Sequence, residues 1–111
     1  SDGTFEFNVS KATKLDMHAL MEAWGAFAAQ DAQVQALVAE EPRRSGTDKR
    51  LYWRVKAPDG SNVQVSSEPK KNGSASVVAT QTGLASQERA EDAKVAWRAI
   101  LERFVASIRP Q

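Results

Sequence analysis

Between residues 5 and 10 apolar and polar side chains alternate, with Phe5, Phe7 and Val9 set against Glu6, Asn8 and Ser10. A period of two is that of a strand with one buried face. From Asp16 the period changes. Met17, Leu20, Met21, Trp24, Phe27 and Ala28 follow the i, i+3, i+4, i+7 spacing of an amphipathic helix, and Asp16 is placed to cap it. Gly25 lies inside that helix at a cost of about 1 kcal/mol in propensity relative to Ala, so it marks a candidate close approach to another element. A second, short helix is predicted with Val34, Leu37 and Val38 as its stripe. It should end before Pro42, because proline disfavours helical geometry in the residue ahead of it.

The stretch from Glu40 to Lys49 is polar, with Pro42, Arg43, Arg44, Ser45 and Gly46, and reads as an exposed, mobile connection. Period two then returns. Leu51, Trp53 and Val55 alternate with Tyr52, Arg54 and Lys56, and Pro58-Asp59-Gly60 supplies turn chemistry. Val63 and Val65 alternate on the next strand, and Lys70-Lys71-Asn72-Gly73 predicts a tight hairpin into a last strand from Ser74 to Thr82. Ser86 is placed to cap a final helix with Glu88 in its first turn, the sign favoured by the helix dipole. Ala90, Ala93, Trp97, Ile100, Leu101, Phe104, Val105 and Ile108 form one stripe that should end before Pro110, with Arg103 and Arg109 in or near the last turns. A helix of roughly 22 residues is about 33 Å long, enough to cross a small sheet. These elements predict a single α+β domain over 1–111, an antiparallel sheet of about four strands gripped by a long C-terminal helix.

Composition narrows the function classes more than it names one. Fifteen basic and 14 acidic side chains leave a net charge of +1, so no overall field steers nucleic acid or an anionic membrane. The chain lacks cysteine, which removes disulfides, thiolate nucleophiles and cysteine metal sites. No apolar run approaches the roughly 20 residues of a membrane span, and Ser1-Asp2-Gly3 lacks the pattern of a signal peptide. A soluble, cytoplasmic protein is expected. The missing initiator Met suggests a trimmed chain, a domain of a longer one, or a processed product.

The isolated chemical groups have plain structural readings. His18 is the sole histidine and one side chain cannot complete a metal site, so it reads as a solvated helix residue. Glu40 with Glu41 and Glu91 with Asp92 point to different sides of their elements and read as surface. Arg43, Arg44, Lys49 and Arg50, with Lys70 and Lys71 on another loop, fall short of the continuous stripe with stacking platforms that a nucleic-acid groove needs. Gly60 and Gly73 are isolated turn glycines, without a phosphate-cradling loop. No catalytic constellation, cofactor motif or metal set is present in the sequence, and no enzymatic activity is expected.

The order of strand, helix pair, meander and long helix resembles the helix-grip fold of the START and SRPBCC superfamily, which includes the birch-pollen-allergen proteins. More narrowly it is similar to homologues of the activator of heat-shock-protein ATPase and to short bacterial domains of that type. The residues carrying the likeness are Asp59-Gly60, Val63 and Val65, the Leu84 link, and Lys94, Trp97, Arg98 and Leu101. Two features depart from the family: Thr13-Lys14-Leu15 stands where members often have an apolar residue and a proline, and members have more strands. Both count against the family's large cavity. The resemblance implies a non-catalytic module holding a small apolar ligand between the last helix and the sheet, walled by Trp24, Phe27, Trp53, Val55, Val65, Trp97 and Leu101. Tryptophans on core-facing periods also serve simply as packing. The competing reading is therefore a protein-interaction or accessory domain of a longer chain, with a filled core. It would use an outer sheet face bearing Tyr52, Arg54 and Lys56, or the Arg43 loop.

Overall fold

A computed structural model describes residues 4–109. The expected stop at Pro110, like Ser1-Asp2-Gly3, lies outside the described residues. The elements in chain order are β1 (Phe5–Ala12), α1 (Met17–Gln30), α2 (Ala32–Gln35), β2 (Arg43–Gly46), β3 (Leu51–Lys56), β4 (Asn62–Pro69), β5 (Ala75–Leu84) and α3 (Gln87–Ser107). The strands form one antiparallel sheet in the order β1-β5-β4-β3-β2. The α+β architecture with a C-terminal helix on the sheet is thus as predicted, with five strands rather than about four.

The extra strand is β2, inside the stretch expected to be a mobile connection. All four of its residues are exposed, so it has no buried face and no alternation to read. It exists through pairing with β3, from Arg43 opposite Arg54 to Gly46 opposite Leu51. Short length and arginines suit a sheet edge that must not recruit another strand. The second helix is correspondingly shorter than predicted. It closes after one turn because Leu37 and Val38 donate to Val34 and Gln35 three residues back, and the Ala39 N–H turns away to the Lys56 carbonyl at 3.0 Å. Leu37 and Val38 still pack against the core, but from the following turn.

The helix starts are as expected. The Asp16 carboxylate accepts from Ala19 N–H at 2.8 Å and the Ser86 hydroxyl from Arg89 N–H at 3.1 Å. The two hairpins are twins. Gly60 N–H bonds to Ala57 and Gly73 N–H to Lys70, each glycine carries a positive φ, and among the described residues no other residue type does. The Asn72-Gly73 hairpin is therefore not the two-residue form that needs positive φ at both central positions, but a turn closed by one left-handed glycine.

On the inner face Phe7 and Val9, Trp53 and Val55, Val63 and Val65, and Val77 and Ala79 are buried. Phe5, expected to share that face, is 36 % exposed, since the β1–β5 register shifts between Phe5 and Phe7. Helix α1 lies over β3 and β4 and α3 over β1 and β5, so both helices cover the same side of the sheet and the other side is open. On α3 the predicted stripe is the buried face, through Ala90, Trp97, Ile100, Leu101 and Phe104.

Candidate functional site

The predicted pocket walls come together in the hydrophobic core. Trp24, Val65 and Leu101 are fully buried, and Trp97, Val55 and Trp53 nearly so. Trp24 is the centre. Its ring lies 5.3 Å from Phe104, 5.5 Å from Trp53, 5.7 Å from Phe27 and 6.0 Å from Trp97, with Trp53 and Phe104 edge-on. Such tilted and edge-on pairs are the favoured geometry of packed aromatic side chains. The Trp24 indole N–H has no hydrogen-bond acceptor among the described residues. Of the seven predicted residues, Trp97, Trp53 and Phe27 each also reach the wall of a separate surface hollow.

The hollow at Trp97 has built polar chemistry. Gln81 stands on the inner face of β5, continuing the series Val77 and Ala79, and is 3 % exposed. Its Oε1 accepts from the Trp97 indole Nε1 at 3.2 Å, and its Nε2 donates to Ser61 Oγ at 2.8 Å. Ser61 in turn donates to Asp59 Oδ1, through its hydroxyl at 2.5 Å and its backbone N–H at 2.9 Å. A relay therefore runs from the underside of α3 to the surface turn between β3 and β4. Asp59 is held below the ordinary carboxylate range, chiefly by the two Ser61 bonds; partial burial opposes them and the nearby Arg89 charge assists. The surrounding cleft has a volume of about 390 Å³. Leu37, Leu84, Ala93 and Ala96 form its apolar walls, while Glu88, Arg89 and Asp92 line the first turns of α3 beside it. Compared with known proteins, the sequence matches no family model and no curated relative.

Gln81 and Ser61 escape a reading that looks for catalytic or metal sets. The available signal was an amide at the fourth inner position of a strand whose first three are Ala75, Val77 and Ala79, where an apolar residue is the default. Pocket walls drawn from aromatic and aliphatic residues alone include Trp97 of this cleft and leave out its polar members.

The basic residues do not converge. Arg44 points to the helical side, where it pairs with Glu22 at 2.8 Å and lies across the bare backbone of Gly25. That is the close approach that the mid-helix glycine predicted. Arg43 is opposite Arg54 on the open side, and Arg50 lies 3.6 Å from Glu68. Arg54 stacks over the Tyr52 ring at 4.3 Å and bonds Gln64 at 2.8 Å, so the outer face predicted for Tyr52, Arg54 and Lys56 is theirs. His18 is exposed on α1. Among the described residues no three His, Asp or Glu side chains converge as a metal site, and no helix is long and apolar enough to cross a membrane.

Proposed function

We propose that the chain is a non-catalytic ligand-binding module of the START/SRPBCC type, holding a small molecule between α3 and the sheet. The observation that carries this reading is the cleft of about 390 Å³ beside Trp97, floored by the buried Gln81 amide. It is within the size range of small-molecule sites, roughly 300–1,000 Å³, and combines apolar walls with a few placed polar groups. The sheet order, with the first strand beside the last and α3 across both, is consistent with a reduced helix grip. In this reading the ligand sits under the N-terminal half of α3 rather than at the aromatic centre. Thermal shift and tryptophan fluorescence against a panel of lipids and apolar metabolites test the reading: a melting temperature that rises with ligand concentration supports it, and a flat response across the panel removes it.

A second reading, a protein-interaction module, rests on the filled core and the open sheet face with its stacked Tyr52 and Arg54. Charge reversal at Arg43 and Arg54 tests that face. Arg44 is unsuitable for this purpose because it braces α1.

A further inference from the structure

We propose that the free edge of β1 binds an extended acidic peptide as a sixth strand of the sheet. This edge is on the opposite flank of α3 from the Trp97 cleft, and the proposal stands or falls independently of the ligand reading above. The sheet has two edges of unequal character. Strand β2 is four residues long with two arginines, whereas β1 runs for eight residues, contains no proline and has β5 as its one neighbour. Nor is β1 itself bulged. Phe7 is opposite Gln81 and Phe5 opposite Leu84, so the extra residue belongs to β5, where Gly83 has a positive φ. Among the described residues no backbone group from Phe5 to Ala12 bonds to anything but β5. The outward N–H and C=O groups of such a strand are the template that strand addition uses.

The charge beside that edge selects the peptide. A groove of about 310 Å³ runs along β1 from Asn8 to Lys11 and is bounded on α3 by Lys94, Arg98 and Glu102. Lys11 lies 3.9 Å from Glu102, but Lys94 and Arg98 have no ion-pair partner among the described residues. Four residues of helix rise roughly 6 Å and two residues of strand about 6.6 Å. Carboxylates at alternate positions of an added strand therefore keep step with Lys94 and Arg98. The next position in that series meets Glu102, which is engaged with Lys11, so the motif is two acidic residues rather than a longer run. A second copy of β1 fits less well, since its one carboxylate, Glu6, is on the open side of the sheet, away from the helices.

The test uses the whole chain and three labelled peptides that share a threonine host of about eight residues, the span of one ordinary strand, and carry two Glu, two Gln or two Lys at alternate central positions. By fluorescence anisotropy the Glu peptide should bind about tenfold more tightly than the Gln peptide, with the Lys peptide weakest, and added salt should narrow the gap. The double variant Lys94→Gln/Arg98→Gln should weaken the Glu peptide about tenfold and leave the Gln peptide unchanged, with the fold intact by circular dichroism. Backbone methylation separates strand addition from charge attraction. N-methylating one alternate set of amides in the Glu peptide should abolish binding while methylating the other set should not, and bound peptide should protect β1 amides from hydrogen exchange. Equal or absent binding of the three peptides overturns the proposal, as does full binding by both methylated forms. Self-association of the chain that protects β1 amides and is not displaced by the Glu peptide assigns the edge to a second copy and overturns it too.

Discussion

Gln81 carries more than its size suggests. It is the only acceptor the Trp97 indole N–H has among the described residues and the only donor, apart from solvent, reaching Ser61 Oγ. Gln81→Leu should therefore lower stability by about 1–3 kcal/mol, since it leaves the buried Trp97 N–H without an acceptor and Ser61 Oγ with its bond to Asp59 alone. Adding Trp97→Phe should cost less than the sum of the single changes, because the second mutation removes the stranded N–H; urea unfolding of the four proteins of the cycle measures it. The residue was legible in the sequence as an amide at an inward strand position. Its partners were not, because Ser61 and Trp97 approach it from 20 and 16 residues away, across a turn and a helix.

Between elements, two polar clamps hold the helices. Asp31 ends α1, caps α2 by accepting from Val34 N–H, and binds Arg103 of α3 at 2.8 and 3.3 Å. Arg103, expected in or near the last turns of α3, gives its charge to this elbow. Burial raises the Asp31 pKa, but the Arg103 and Val34 bonds outweigh it and the net shift is downward from 3.8. A carboxylate depressed in the folded state contributes stability above its unfolded pKa and loses it as pH falls through the folded value. Arg103→Ala should thus cost about 1 kcal/mol near neutrality and much less at low pH, which unfolding midpoints between pH 7 and pH 2 would reveal. Arg44 is the other clamp. Gly25→Ala gains helix propensity but displaces the Arg44 guanidinium, so its net effect should be small. In an Arg44→Ala background the same change should stabilise by about 1 kcal/mol, and thermal melts of the four variants decide this. Helices α1 and α3 were legible because each has one wide stripe and a capping side chain. Strand β2 was not, because an edge with every residue exposed leaves no periodic trace.

Across the whole molecule, stability is concentrated in the aromatic cluster around Trp24. Trp24→Ala removes a ring in contact with four others and should cost about 3–5 kcal/mol. Against the 5–15 kcal/mol of an ordinary domain that is a large share, so the near-ultraviolet dichroism of this variant should melt far below that of the parent. The sequence placed these aromatic residues on the right faces but could not tell lining from filling, a distinction that depends on distances between elements.

The sheet also dictates a timetable. Strands β2 to β5 follow one another and can pair as soon as each is made, but β1 has one neighbour, β5, with Phe5 opposite Leu84. At synthesis rates of about 5–20 residues per second, the first strand waits roughly 4 to 15 seconds for its partner. Throughout that interval Phe7 and Val9 have neither their sheet nor α3, so β1 is the segment of the nascent chain for which a chaperone would have most to do.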